Sequence, residues 1–179
     1  MYKEVGHLSE TKELIDREGQ LREWVESYRT ELLKLCIVYL SDWSLAEDAV
    51  QETFLKAWRS KNRFEARNGS SPKTWLSKIA INTCRSYRRT KWFRHADCAL
   101  ALETAISRLG EMQPEERDLL IDVSRLPEKY KSVILLYYYQ EMTQQEIADV
   151  LGISRSAVNY RLQRALGMLR LTFRGEGHV

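Results

Sequence analysis

The stretch Thr143–Leu166, TQQEIADVLGISRSAVNYRLQRAL, decides the fold of the C-terminal third of this 179-residue chain. Thr143 followed three residues later by Glu146 is a capping-box pattern, which starts a helix by satisfying its first free amides. Ala148 is small where a second helix must cross closely, and Gly152 suits the left-handed residue that ends the first helix. Ile153 plugs the turn and Ser154 caps the next helix. Val158, Leu162, Ala165 and Leu169 recur at the spacing of one buried helical face. Arg155, Ser156, Asn159, Tyr160, Gln163 and Arg164 then fall on the outer side, where such residues reach base edges and phosphates if the helix enters a major groove. The reading is a helix-turn-helix, with a plain helical hairpin as the bland alternative.

Outward from that stretch the pattern stays helical. Leu21 to Leu40 carries apolar residues on one helix face, and Ser44-x-x-Glu47 is a capping-box pattern that opens a helix to about Trp58. Asn68 to Ser71 form a turn, and Pro72 starts a helix to about Arg89. Leu119–Val123 and Ser132–Gln140 give two more short helices around Leu126-Pro127-Glu128. No segment alternates with period two for long enough to make a strand. The fold class is all-α: two small helical domains joined by an acidic linker. The expected divisions are a loose segment 1–17, a helical domain 18–95, a linker or loosely packed helix over 96–116, and the helix-turn-helix domain 117–174.

The net charge of +3 conceals strong segregation. Residues 1–55 carry 6 Lys and Arg against 12 Asp and Glu, whereas 56–95 carry 12 against 1. Residues 96–122 are acidic again, with 2 against 7, and 150–174 hold 5 basic residues and no acidic one. Basic blocks of this density fit a polyanion, because each cation placed near a phosphate releases condensed counterions. Lys78, Asn82, Arg85 and Arg89 recur at helical spacing as one polar and basic stripe. Trp58, Phe64, Trp75, Tyr87, Trp92 and Phe93 are interleaved with this charge, and either stack on unpaired bases or pack a core.

Other classes are disfavoured. The longest apolar run, Val133–Tyr139, is far shorter than a membrane span, and the N-terminus lacks the apolar core of a signal peptide. A cytoplasmic protein is expected. Cys36, Cys84 and Cys98 are isolated, and His7, His95 and His178 are scattered, so neither a disulfide framework, a metal nor another cofactor is expected. Cys36 and Cys84 read as small core residues. A DNA-processing enzyme such as a recombinase would need an acidic metal cluster or a nucleophile placed among arginines in a larger domain, and Asp48 with Glu52 is poor evidence for the former.

Three segments in order, SLAEDAVQETFLKAW (Ser44–Trp58), SSPKTWLSKIAINTCRSYRR (Ser70–Arg89) and LPEKYKSVILLYYYQEMTQQEIADVLGISRSAVNYRLQRAL (Leu126–Leu166), resemble a bacterial extracytoplasmic-function sigma factor of the sigma-70 family. The resemblance covers about residues 20–172. It implies that Asp48, Gln51, Glu52, Leu55 and Trp58 grip core RNA polymerase. It implies that Arg63, Phe64, Lys78, Asn82, Arg85, Arg88 and Arg89 recognise and open the −10 promoter element. The helix-turn-helix residues Arg155, Ser156, Asn159, Tyr160, Gln163 and Arg164 would read the −35 element as duplex. No catalytic residue is implied, since the polymerase supplies the chemistry. An anti-sigma factor is an implied partner, and the chain is expected to be monomeric when free, with Val133–Tyr139 as a candidate partner contact. Ser156-Ala157, Asn159-Tyr160 and Ser86 depart from the family pattern at DNA-reading positions and bear on promoter sequence. The competing reading is a conventional helix-turn-helix regulator that binds duplex DNA without polymerase.

Overall fold

A computed structural model describes the backbone of residues 3–65, 71–89, 98–110 and 113–175, and the side chains of 18–60, 71–89, 101–110 and 113–170. The elements run α1 (Lys3–Leu40), α2 (Trp43–Glu65), α3 (Pro72–Arg89), α4 (Cys98–Ser107), α5 (Pro114–Arg125), α6 (Glu128–Ile134), a π-helical turn (Leu135–Tyr139), α7 (Gln144–Leu151) and α8 (Arg155–Gly175). Every described element is helical.

α1, α2 and α3 pack mutually through small and aliphatic side chains. Leu32, Leu35 and Cys36 of α1, Ala46, Ala49 and Ala57 of α2, and Leu76, Ala80 and Cys84 of α3 are all buried. The alanines let the helix axes approach closely. Cys36 and Cys84 are core residues, and a hydrogen bond between their thiols, with burial behind it, raises the Cys36 pKa. The corresponding C-terminal core is Val123, Val133, Leu136, Ile147, Val158 and Ala165. One continuous cluster of buried side chains joins the two halves.

Four expectations need correcting. α1 begins at Lys3, so the segment expected to be loose is helix through residues 3–17; its Glu, Lys, Leu and Arg are good helix formers with no proline among them. The stretch expected as a linker or loosely packed helix contains the helix α4, and it is not loosely packed, since Leu102, Ala105 and Ile106 are buried against the rest of the protein. Those three, with Leu109, recur at i, i+3, i+4 and i+7, so a short amphipathic helix underlies the acidic composition. The start of α2 is capped by Asp42, whose Oδ1 accepts from the Leu45 amide at 2.8 Å, and not by Ser44. Finally, the run Val133–Tyr139 is mostly core: Val133 through Leu136 are buried, while Tyr137 and Tyr138 face solvent and meet edge to face.

Candidate nucleic-acid and partner interfaces

The helix-turn-helix is built as its residues dictate. The Thr143 hydroxyl accepts from the Glu146 amide at 3.3 Å, and Glu146 Oε2 accepts from the Thr143 amide at 2.9 Å. Gly152 adopts φ 66° and ψ 39°, the left-handed conformation, and its amide donates to the Ala148 carbonyl. Ser154 Oγ then accepts from the Ala157 amide at 3.2 Å, capping α8. Val158, Leu162, Ala165 and Leu169 are buried beneath α8. Arg155, Ser156, Asn159, Tyr160, Gln163 and Arg164 are all exposed on the opposite side, with Tyr160 at 58% the most open large apolar side chain among the described residues. This is a polar, cationic helix face free to enter a groove.

α3 is arranged differently. Trp75 lies in the core against Trp24, which decides between packing and base stacking for that ring in this conformation. Tyr87 is half-buried beside the core; burial raises its pKa, and the nearby Asp48 and Glu52 charges push the same way. Asn82 and Arg89 are exposed, whereas Lys78, Arg85 and Arg88 are partly covered by the C-terminal half. Lys78 Nζ donates to the Asp149 carbonyl at 2.9 Å, and Arg85 Nε donates to Glu128 Oε1 at 2.9 Å. Arg88 Nη1 lies 3.9 Å from Glu128 Oε2. Asn82, Arg85, Arg88, Arg89 and Glu128 surround a cleft of about 540 Å³. The side chains of Arg63 and Phe64, expected to act with this stripe, lie outside the described residues, as do Trp92 and Phe93.

The third surface is an apolar groove of about 790 Å³ between α1 and α2. Leu21 and Val25 of α1 face Val50, Phe54, Leu55 and Trp58 of α2 across it. Leu55 is 49% exposed at the centre of the α2 ridge, an unusual position for leucine. Gln51 and Trp58 lean into the groove with it, and Asp48 is exposed on the same helix. Glu52 turns away: it pairs with Lys56 at 3.3 Å, and Lys56 donates to Thr83 Oγ1 of α3 at 3.1 Å. The five α2 residues therefore form a ridge with Glu52 on its far flank. Sequence reasoning missed the α1 wall, although Leu21 and Val25 were visible as part of an apolar helix face.

Among the described residues, no group of three His, Cys, Asp or Glu side chains is placed to hold a metal ion. None of the described helices is long and apolar enough to cross a membrane.

Comparison with known proteins converges on these elements. Residues 24–94 match the model of sigma-70 region 2, and residues 123–169 match that of sigma-70 region 4. The chain belongs to the sigma-70 family. Within it, the extracytoplasmic-function branch is the one indicated by its relatives. It is 31% identical over 183 residues to the ECF RNA polymerase sigma factor SigG of Mycobacterium tuberculosis, covering 87% of this chain and 49% of SigG. It thus spans about half the length of that relative. It is 29% identical to the ECF RNA polymerase sigma factor SigW of Bacillus subtilis, covering 84% of this chain and 87% of SigW. The fold is similar to that of the sigma factor RpoE from Bartonella quintana, solved in complex with the anti-sigma factor NepR. The TM-score is 0.63, at 22% identity over 86% of this chain and 98% of that one.

Proposed function

We propose that this chain is an initiation factor that docks on core RNA polymerase, recognises the −10 and −35 promoter elements and promotes promoter opening. The observation that carries the reading is the apolar groove under Leu55, on the same chain as a cationic stripe and an outward-facing recognition helix. A duplex-binding regulator needs the last of these; an apolar docking ridge beside a separate basic stripe adds a protein partner and a second DNA contact. Asp48, Gln51, Leu55 and Trp58 supply the polymerase contact, with Glu52 at its margin. Arg63, Phe64, Lys78, Asn82, Arg85, Arg88 and Arg89 supply the −10 contact through phosphates and unpaired bases. Arg155, Ser156, Asn159, Tyr160, Gln163 and Arg164 read the −35 duplex. The domain carrying the first two surfaces spans 18–95 and the domain carrying the third spans 117–174.

The protein acts without catalysis of its own, in the cytoplasm with the polymerase, and as a monomer when free. A protein of similar fold solved with an anti-sigma factor supports a similar partner here, and a role in a stress or envelope response belongs to the same proposal. The test is capture of purified bacterial core RNA polymerase, followed by run-off transcription on a genomic fragment library. Stoichiometric capture with discrete transcripts is expected. Retained duplex binding without capture would instead identify a conventional regulator.

A further inference from the structure

The basic stripe of α3 is not open to solvent along its length. The C-terminal half lies across Lys78, Arg85 and Arg88, while Asn82 and Arg89 stay exposed. Thr74 Oγ1 donates to Glu146 Oε1 at 3.3 Å, Lys78 Nζ donates to the Asp149 carbonyl at 2.9 Å, and Arg85 Nε donates to Glu128 Oε1 at 2.9 Å. Ser77 and Gln140, both buried, meet between these contacts at 3.5 Å. Tyr39 of α1 and Ser132 of α6 are hydrogen-bonded behind them. Meanwhile the outward face of α8 is untouched.

Glu128 is the informative residue. Its two carboxylate oxygens stand before two different guanidiniums, Arg85 at 2.9 Å and Arg88 at 3.9 Å. Asn82 and Arg89 complete the walls of the same cleft. A cleft with three arginines and an amide side chain is chemistry for a phosphodiester, since guanidinium forks match carboxylate and phosphate oxygens alike. Here the anion in the cleft is a side chain of the other domain. Arg85, Arg88 and Glu128 keep 31%, 33% and 40% of their side-chain surface exposed, so each ion pair is individually weak and open to exchange.

We infer that Glu128 is an internal brake: its carboxylate occupies the phosphate site formed by Arg85, Arg88 and Arg89, so that a single strand of DNA binds α3 only by displacing α6. The inference rests on the reading of α3 as a single-strand contact. A closed state of this kind lowers apparent affinity by the fraction of molecules that are open. The −35 face carries no such penalty, which makes duplex binding the step available to the closed molecule.

The full chain, Glu128→Gln, the control Glu115→Gln and the double variant Arg85→Ala/Arg88→Ala would be titrated against a labelled mixed-sequence single-stranded 20-mer at fixed salt. Amide hydrogen exchange in α6 would be followed with and without that DNA. Glu128→Gln keeps the shape and removes the charge, and it is expected to tighten binding about five-fold, as for a state closed about four-fifths of the time. Glu115→Gln removes the same charge elsewhere and is expected to change binding much less. DNA is expected to speed exchange across Glu128–Ile134. If the arginine variant loses binding but Glu128→Gln gains no more than Glu115→Gln, the brake is overturned while the DNA contact stands. Tight binding with unchanged α6 exchange overturns it too. Undiminished binding by the arginine variant overturns the DNA reading of α3, and the brake with it.

Discussion

Trp24 and Trp75 meet edge to face, with ring centroids 5.8 Å apart and planes at 71°, fastening α1 to the start of α3. Both rings are buried, at 4% and 8% exposure. This geometry suits the aromatic quadrupole and adds to the area that the rings remove from water. Trp75→Ala is therefore expected to destabilise the protein by about 3–5 kcal/mol, read as a shift in the urea midpoint. Trp75→Phe keeps an aromatic edge and is expected to cost less while leaving single-strand binding intact. If Trp75→Phe kept full stability but lost single-strand binding, the ring would be a base platform and not a core residue.

Leu55 is a different case, because its side chain is half in water. Leu55→Asp removes no core packing and is expected to leave stability within about 0.5 kcal/mol. The same change places a charge in the middle of the apolar ridge, and a loss of about ten-fold or more in affinity for core RNA polymerase is expected. Glu52→Gln should weaken the complex less, since Glu52 is already engaged by Lys56 on the flank. Surface-immobilised polymerase titrated with both variants separates the two. A larger loss for Glu52→Gln would move the contact surface toward α3.

Gly152 joins the two helices of the helix-turn-helix at φ 66°. No atom lies within 4 Å of the place a Cβ would take, so substitution there meets backbone strain and no clash. Gly152→Ala is expected to cost about 1–2 kcal/mol, seen as a melting temperature lower by several degrees. Gly152→Asn, which tolerates the left-handed region better, is expected to recover part of this. Equal losses in the two variants would show that space, not conformation, sets the requirement.

The parts of the fold legible in the sequence are those whose causes are local. The capping contacts of Thr143, Glu146, Gly152 and Ser154 each lie within four residues, and the helix-turn-helix could be read from them. The buried faces of α3 and α8 repeat at helical spacing and were legible for the same reason. For α4 the sequence left open a linker or a loosely packed helix, because acidic residues dominate the composition of 96–116 while only Leu102, Ala105 and Ile106 decide its packing. Leu55 was singled out only through the family resemblance, and the α1 wall opposite it depends on how two helices cross. Least legible was the pairing of Arg85 with Glu128, 43 residues apart in the chain. No spacing rule connects such residues; only the docking of α6 on α3 does. The stripe itself was found, and what covers it was not.

Glu146 links the capping of α7 to the docking of that helix on α3. Its Oε2 accepts from the Thr143 amide and hydroxyl at 2.9 and 2.8 Å, and its Oε1 accepts from Thr74 at 3.3 Å. The Thr143 hydrogen bonds, led by the backbone one, hold its carboxyl below the ordinary glutamate range. The folded state thus favours the ionised form. Its contribution is present above the unfolded value of about 4.3 and is lost as pH falls through the lower folded value. Glu146→Gln should be less stable than the native chain at pH 6, and the difference should shrink as pH drops below about 4. Denaturant midpoints of both proteins across that range test this. A difference independent of pH would assign the loss to shape and not to charge.

Arg164 and Asn159 share the exposed face of α8 but are expected to do different work in duplex DNA. A guanidinium late on the recognition helix lies near the backbone, whereas a carboxamide in its first two turns is placed for a base edge. Arg164→Ala is therefore expected to weaken binding to every duplex alike and to reduce the slope of log affinity against log salt by about 1. Asn159→Ala is expected to leave that slope unchanged and to relax preference at one or two base pairs, at about 1–3 kcal/mol for the favoured sequence. Binding of both variants to a randomised −35 library, repeated at two salt concentrations, separates the effects. If Arg164→Ala altered sequence preference and Asn159→Ala altered only the salt slope, the helix would sit in the groove rotated from the orientation that its buried face, Val158 to Leu169, otherwise requires.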